Sequence, residues 1–346
     1  MPDFKSINQP FSNTINIDGN SYLYFGGTAY LGIPQNQDFI NLYIEGIKKF
    51  GLNNGTSRTN NIQLGIYDEA EKVAAGRYGA EAALITSSGY LTAQLTLKAI
   101  SVSGKVIYAP ATHPALWLID QPAHQQAFKD WKKETVSLIN AAEEKTWVLV
   151  SNSMNNLIPE IYDFDFVKEI RSDKNIILVV DDSHGIGVNN NGMGAIVNLP
   201  KQENIENVVV ASMAKALGVD AGIVLASSKI IDKLKSTNTF IGASPPSPAA
   251  LYAFIHAGDI YNKALNKLKN NMAMFEDALN LTWKFEWDFP VYLPGETNFS
   301  QRLLQKQILI SSFPYPNPTD EILNRIVLSA WHEKEDIEKL IAAINF

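Results

Sequence analysis

Residues 176–185 read Ile-Ile-Leu-Val-Val-Asp-Asp-Ser-His-Gly, an unbroken apolar run that ends in a polar turn. A run that is apolar on both faces predicts a central strand of a parallel sheet, and open α/β sheets bind ligands at the carboxyl ends of such strands. Two further apolar runs follow, residues 208–211 and 222–227, and the first of them leads into Ser-Met-Ala-Lys-Ala-Leu-Gly at 212–218. We therefore expect acidic, imidazole and amine groups together at one edge of the sheet.

Asp181, His184 and Lys215 are the groups that pyridoxal phosphate requires. A lysine amine condenses with the aldehyde of the cofactor, and a carboxylate keeps the pyridine nitrogen protonated so that the ring withdraws electrons from a substrate. We expect His184 to donate a hydrogen bond to the ring hydroxyl. The alternative is two solvated acids, a structural histidine and a surface lysine. The order of the two segments, each after a buried-looking strand, favours the cofactor site.

The composition is that of a soluble globular enzyme. At 346 residues, one large domain and a smaller one are expected, and 46% hydrophobic and 19% charged residues are ordinary values. The net charge of −7 argues against nucleic acid as a partner. The absence of cysteine excludes disulfides, thiolate metal sites and cysteine nucleophiles, and no metal site is predicted. No apolar signal core or membrane span is visible, which favours a cytoplasmic protein.

The turn Ser87-Ser88-Gly89-Tyr90 follows a short predicted strand, residues 82–86, and opens a helix that runs to residue 100. Such a turn is suited to bind phosphate, because glycine lets the backbone come close and the first amides of the helix point at the anion. An ordinary strand-to-helix turn with a serine N-cap would read the same way. The turn alone does not distinguish the two.

Strands and helices alternate through residues 82–227, which predicts a doubly wound, mostly parallel sheet. We divide the chain into an N-terminal segment (1–35), a large cofactor-binding domain (36–245), and a linking helix with a small C-terminal α+β domain (246–346). Residues 164–171 and 249–281 are predicted to be helical, as are 297–305 and 333–344. The predicted strand 325–330 begins with Arg325, either a surface charge or a two-pronged clamp for a substrate carboxylate.

The chain resembles the α-oxoamine synthases, a family of fold type I pyridoxal-phosphate enzymes, from about residue 24 to residue 344. Its motifs appear in the family's order: Tyr30-Leu31-Gly32, Gly55-Thr56-Ser57-Arg58, the helix start at 66–71, Ser87-Ser88-Gly89-Tyr90, the Asp-Asp-Ser-His-Gly segment with Gly192-Met193-Gly194, Ser212–Gly218 and Ser329-Ala330-Trp331-His332-Glu333. The resemblance implies a large doubly wound domain, a small C-terminal domain and pyridoxal 5'-phosphate as cofactor.

The resemblance also implies a role for each matching residue. Lys215 would bond to the cofactor and carry protons, Asp181 would pair with the pyridine nitrogen while Asp182 points away, and His184 would reach the ring hydroxyl. The remaining contacts would come from His113 stacked on the ring, the Gly89 and Tyr90 amides and the Ser212 hydroxyl on the phosphate, Ser153 beside the cofactor, and Arg325 on the amino-acid carboxylate. Two positions depart from the family pattern: Thr28 near the substrate, and Asn155 in a shortened loop.

The activity implied by the resemblance is condensation of a small amino acid with an acyl-CoA or other acyl thioester, with loss of carbon dioxide. The Asp-Asp-Ser-His-Gly segment is closest to the 8-amino-7-oxononanoate synthase branch, with L-alanine rather than glycine or L-serine as amino acid. The alternatives are another reaction of the same cofactor, such as transamination or aldol cleavage, and a non-catalytic relative. A homodimer is expected, because the turn at 242–246 matches the family segment that crosses to the neighbouring subunit.

Overall fold

The computed structural model describes residues 4–119, 122, 126–296, 298–314 and 319–345. The α-helices of these residues are α1 (Gln37–Phe50), α2 (Ile66–Tyr78), α3 (Gly89–Ile100), α4 (Phe128–Ala141), α5 (Ser228–Lys235), α6 (Asn238–Gly242), α7 (Pro248–His256), α8 (Gly258–Glu276), α9 (Phe299–Leu304) and α10 (Lys334–Ile344). The strands are β1 (Thr14–Ile17), β2 (Asn20–Phe25), β3 (Ala82–Thr86), β4 (Lys105–Tyr108), β5 (Thr146–Asn152), β6 (Met154–Asn155), β7 (Glu160–Ile161), β8 (Asn175–Asp181), β9 (Ile205–Ser212), β10 (Gly222–Ala226), β11 (Lys284–Glu286), β12 (Phe289–Leu293), β13 (Ile308–Pro314) and β14 (Ile322–Val327).

The larger sheet has the order β3-β10-β9-β8-β5-β4. Strands β4, β5, β8 and β9 run parallel, and β10 is antiparallel to both β9 and β3. This confirms the predicted α/β fold with a mostly parallel sheet. The strand at 176–180 is central, as its apolar sequence predicts.

Both faces of this sheet are buried. Along β8, Leu178 and Val180 belong to one apolar cluster and Val179 to a second cluster on the opposite face. The second cluster packs the sheet against α3 and α5, through residues such as Leu95 and Ile231. A strand covered on both sides needs apolar residues at every position, which explains the unbroken run in the sequence.

The second sheet joins the two ends of the chain. Its order is β1-β2-β13-β14-β12-β11, and β2 pairs in parallel with β13. The N-terminal strands, which the sequence analysis assigned to a separate segment at 1–35, therefore complete the sheet of the C-terminal region. The division at residues 36 and 246 stays a prediction.

Arg325 does not begin its strand. Residues 322–325 pair with residues 311–314 of β13, so β14 extends upstream of the predicted start and ends at Val327. Arg325 is only 5% exposed, which excludes the surface-charge alternative.

Two helix predictions need correction. The predicted helix at 249–281 is two helices, α7 and α8, separated at Ala257, where ψ is 16° and Gly258 follows. Glycine is a poor helix former, which favours the break at this point. The helix predicted at 164–171 is shorter and of the 3-10 type, residues 165–169, because the Asp163 carboxylate accepts the Asp165 amide and holds a tight turn. Residue 297, the predicted start of the helix at 297–305, lies outside the described residues, and α9 covers 299–304.

The helices among the described residues are too short or too polar to cross a membrane.

Candidate active site

The ends of β5, β8 and β9 meet at one edge of the larger sheet. Asp181 is the last residue of β8, and its Oδ1 accepts the Ser183 amide at 2.9 Å. The Ser183 hydroxyl accepts the Ser212 amide at 2.8 Å, and the Ser153 amide donates to the Asp181 carbonyl at 2.8 Å. These bonds fix the three strand ends relative to one another.

A cleft at this edge brings most of the predicted residues together. It is lined by Gly89, His113, Ala115, Asn152, Ser153, Met154, Asn156, Asp181, Ser183, His184, Ser212 and Lys215. Of the predicted residues, Tyr90, Thr28 and Arg325 do not line the cleft. The Tyr90 side chain is exposed at the start of α3, which leaves only its backbone amide for the predicted phosphate contact.

Lys215 lies in the loop between β9 and β10, which is closed by a bond from the Met213 amide to the Ala221 carbonyl. Burial lowers the pKa of Lys215, and the Asp181 carboxylate acts in the opposite direction. Among the described residues, no carboxylate lies within ion-pairing distance of Lys215 Nζ. A lowered pKa favours the neutral amine, the form that attacks an aldehyde.

His184 is buried and neutral. Burial lowers the pKa of His184 well below its usual value, and the charges of Lys215 and Arg325 lower it further. Its Nδ1 lies 2.7 Å from the hydroxyl of Tyr30, and the ring of Phe289 packs edge-on against it. Tyr30 belongs to the Tyr-Leu-Gly motif, but its contact with His184 was missed because the two residues are far apart in sequence.

His113 is held at the other side of the cleft by Asn152, a second residue that the sequence analysis missed. The Asn152 Oδ1 accepts the His113 amide at 3.0 Å, and its Nδ2 donates to the Ala111 carbonyl at 2.7 Å. Burial lowers the pKa of His113, with Asp181 opposing this effect and Lys215 adding to it. The position of Asn152 at a strand end was the available signal.

The first turn of α3 lies against the end of β9. Ser88 caps the helix by accepting the Leu91 amide at 3.1 Å, so the N-cap alternative is correct for this side chain. A Cβ added to Gly89 would lie 2.6 Å from the Ser212 Cβ, which is closer than atoms approach. Glycine is thus required for the helix N-terminus to reach the cleft, with its free amides next to the Ser212 hydroxyl.

Asp182 lies away from the cleft, on the side expected from strand alternation. Its Oδ2 accepts the Ala195 amide at 2.7 Å. Burial raises the pKa of Asp182 to about 7, and the neighbouring Ser153 hydroxyl opposes this effect. Ser153 lines the cleft, and its hydroxyl has no hydrogen-bond partner within the described part of the chain.

Arg325 approaches from the second sheet. Its Nε and Nη2 are buried and have no hydrogen-bond partner within the described part of the chain. Burial raises the pKa of Tyr30, and the positive charge of Arg325 opposes this effect. The same charge lowers the pKa of His184, so the guanidinium lies near both rings. Buried, unpaired donors of this kind are suited to a carboxylate brought by a ligand. Thr28, two residues before Tyr30, is partly buried and its side chain makes no recorded hydrogen bond among the described residues.

These residues fit pyridoxal phosphate. A lysine whose pKa is lowered by burial, a carboxylate, a neutral histidine and a helix N-terminus that a Cβ at position 89 would block all face one cleft. Arg325 does not line this cleft, but two of its donors are buried and have no partner among the described residues.

Comparisons with known proteins agree with this assignment. The family model for aminotransferase class I and II matches residues 20–344. The chain is 26% identical to an 8-amino-7-oxononanoate synthase of Petrotoga mobilis over 94% of this chain and 88% of that protein. It shares its fold with the serine palmitoyltransferase of Sphingomonas wittichii (TM-score 0.81, 18% identity, 98% of this chain and 90% of that one). It also shares it with the 8-amino-7-oxononanoate synthase of Francisella tularensis (TM-score 0.67, 20% identity, 93% and 96% covered).

These findings confirm the predicted fold type and cofactor and the resemblance to the α-oxoamine synthases. The chain therefore belongs to the aminotransferase class I and II family, as a pyridoxal-phosphate enzyme whose relatives include the α-oxoamine synthases.

Proposed function

We propose that this enzyme condenses a small amino acid with an acyl thioester and releases carbon dioxide. The reaction would be of the 8-amino-7-oxononanoate synthase type, which makes a precursor in biotin biosynthesis, with L-alanine as the first candidate and glycine or L-serine as the next. Relatives of that name match more than nine-tenths of this chain, which supports the choice of reaction.

The observation that carries the proposal is the pair of buried, unpaired donors on Arg325. A guanidinium deprived of water and of protein partners is costly unless a ligand supplies an acceptor, and a carboxylate matches its geometry with two parallel hydrogen bonds. Arg325 acts electrostatically on His184, which lines the same cleft as Lys215. An amino acid bound by its carboxylate at Arg325 would thus have its reacting end directed toward Lys215.

The cofactor, when bound, supplies an electron sink for the bonds at the α-carbon of the substrate. In this proposal Lys215 holds the cofactor and then moves the proton at the substrate α-carbon, while Asp181 keeps the pyridine nitrogen protonated. His184 donates to the ring hydroxyl, and His113 stacks on the ring. The Gly89 and Tyr90 amides bind the phosphate.

Ser212 and Ser153 complete the proposed cofactor contacts. The Ser212 hydroxyl accepts the Ala214 amide at 3.3 Å and would donate its own hydrogen to the phosphate. Ser153 would contact the cofactor through its hydroxyl, which lines the cleft and has no hydrogen-bond partner within the described residues.

The acyl-donor side departs from the family pattern at Thr28 and Asn155. The Asn155 side chain accepts the amides of Leu157 and Ile158 at 3.1 and 3.2 Å, which closes the shortened loop on itself. We propose that Thr28 contacts the substrate and that this compact loop still admits an acyl thioester.

We further propose that the enzyme is a cytoplasmic homodimer. The turn at 242–246, which corresponds to the family's crossing segment, lies at the surface: Gly242 and Ser244 are exposed, and only Pro246 of the turn is buried.

The test combines two readouts on the holoenzyme. The visible absorbance of the cofactor is recorded with L-alanine, glycine and L-serine in turn, and acyl-CoAs are then added. We expect one amino acid to change the spectrum and, with one acyl-CoA, to release free coenzyme A and carbon dioxide in equal amounts. Because the chain has no cysteine, a thiol reagent detects coenzyme A without a protein background.

Lys215→Arg protein serves as the control and should release neither product. A parallel reaction contains a 2-oxo acid as amino acceptor; if the amino acid is converted there to its own 2-oxo acid while the acceptor is aminated, and neither coenzyme A nor carbon dioxide is released, the enzyme is an aminotransferase. Retro-aldol products would assign it to the aldolases in the same experiment.

A further inference from the structure

Tyr30 and His184 form a hydrogen bond that the assigned cofactor contacts do not include. The Tyr30 hydroxyl lies 2.7 Å from His184 Nδ1, and the tyrosine is fully buried. The ring of Phe289 packs edge-on against both of their rings. This contact leaves Nε2 as the ring nitrogen of His184 that is free to act in the cleft.

The direction of the bond follows from the remaining partners. A neutral imidazole carries one proton, on either Nδ1 or Nε2. If Nδ1 carried it, the Tyr30 hydroxyl would accept, and its own hydrogen would be buried without an acceptor, since His184 is its sole recorded partner among the described residues. An unsatisfied buried donor costs free energy, so Tyr30 donates and Nδ1 accepts. Burial raises the pKa of Tyr30 and lowers that of His184, which keeps the phenol protonated and the imidazole neutral.

We infer that Tyr30 is a positioning residue that holds His184 in the Nε2–H tautomer, so that the imidazole presents a donor to the ring hydroxyl of the cofactor. This role of Tyr30 requires only the bound cofactor and does not depend on which amino acid or acyl donor the enzyme uses. Without Tyr30, the imidazole would be free to exchange its proton between the two nitrogens, and part of the population would present an acceptor instead.

The backbone around Tyr30 keeps its hydroxyl in place. The Ala330 amide donates to the Tyr30 carbonyl at 2.8 Å, and the Ser329 hydroxyl donates to the Ala29 carbonyl at 2.6 Å. Both donors lie within three residues of the end of β14, the strand that carries Arg325. Tyr30, which orients His184, and Arg325, which is proposed to bind the substrate, are therefore both held by β14 and the segment that follows it.

The first test is nitrogen-15 NMR of the holoenzyme labelled at histidine, with the His184 signals assigned by their loss in His184→Gln. We expect an unprotonated Nδ1 and a protonated Nε2 in the parent protein across neutral pH. In Tyr30→Phe, both nitrogens should shift toward values averaged over two tautomers. A parent spectrum with the proton on Nδ1 overturns the inference, whether or not the variant folds.

The second readout is the pH titration of the cofactor's visible absorbance. Loss of a donor makes the ring oxygen of the cofactor, and the nitrogen that links the cofactor to Lys215, more basic. The midpoint in Tyr30→Phe should therefore rise by about 0.4–1.1 pH units, which corresponds to the free energy of one ordinary hydrogen bond. Tyr292→Phe is the matched control, because it removes a buried hydroxyl that donates to Glu276 at 2.8 Å, away from the cleft. It should leave the midpoint and the His184 signals unchanged. A Tyr30→Phe midpoint equal to that of the parent would contradict the inference.

Discussion

Replacing Arg325 with lysine tests the assignment of the substrate site most directly. Arg325 offers two buried donors, Nε and Nη2, with no partner in the described part of the chain. Lysine keeps the positive charge but has a single point of attachment and cannot copy two parallel bonds to a carboxylate. Loss of one charge-assisted hydrogen bond costs about 1.5–3 kcal/mol, which corresponds to a rise of roughly 13- to 160-fold in the dissociation constant of the amino acid.

The dissociation constants are read from the cofactor's absorbance as L-alanine, glycine or L-serine is added. Arg325→Lys should weaken the binding of whichever amino acid the parent takes, and the cofactor content should stay the same because the proposed phosphate and ring contacts lie elsewhere. The matched control is Arg302→Lys, since Arg302 is a partly buried arginine whose donors are satisfied by the Ala343 carbonyl and the Glu296 carboxylate. Equal dissociation constants in Arg325→Lys and the parent would remove Arg325 from the substrate site.

Four further outcomes are expected. Lys215→Arg should abolish turnover, since arginine does not condense with the cofactor, and borohydride should label Lys215 in the parent; turnover in the variant would refute the role of this lysine. Gly89→Ala places a methyl group 2.6 Å from the Ser212 Cβ, so stability should fall by about 1–3 kcal/mol and less cofactor should be retained; a full cofactor content with an unchanged Tm would show that the helix N-terminus at Gly89 does not bind the phosphate. The pKa of the Asp182 carboxyl is about 7 in the folded protein, against the ordinary 3.8 expected in the unfolded chain, so the folded state binds this proton more tightly. The carboxyl therefore lowers stability progressively as the pH rises from about 4 to 7. Asp182→Asn, which still accepts the Ala195 amide, should flatten the Tm profile over that range, and an identical profile would contradict the burial argument. Light scattering at micromolar concentration should show a dimer; a fully active monomer would exclude a shared site.

The cofactor strand and its end were predictable because their signals are local. The unbroken apolar run at 176–180 requires burial on both faces, and the turn that follows it carries Asp181 and His184 at fixed short spacing. Lys215 follows the neighbouring strand in the same way. Parallel pairing then brings the strand ends to one edge without further information.

The remaining features depend on contacts between distant parts of the chain. The burial of Arg325 follows from pairing of β14 with β13, which the sequence around residue 325 does not encode. The bond between Tyr30 and His184 joins the loops that follow β2 and β8, and no pattern around either residue points to the other. The break at Ala257 was hidden because the helical periodicity continues on both sides of it.

The parallel pairing of β2 with β13 has a consequence for synthesis of the protein. Leu23 pairs with Ile308, so β2 leaves the ribosome long before its partner exists. At about 5–20 residues per second, translation leaves this strand edge unpaired for roughly 15–60 s, whereas every strand of the larger sheet is complete by residue 226. The nascent chain can therefore fold around the larger sheet first, while β2 still lacks its partner strand β13. A chain truncated before residue 308 would leave this edge of β2 unpaired and exposed to aggregation or chaperone binding.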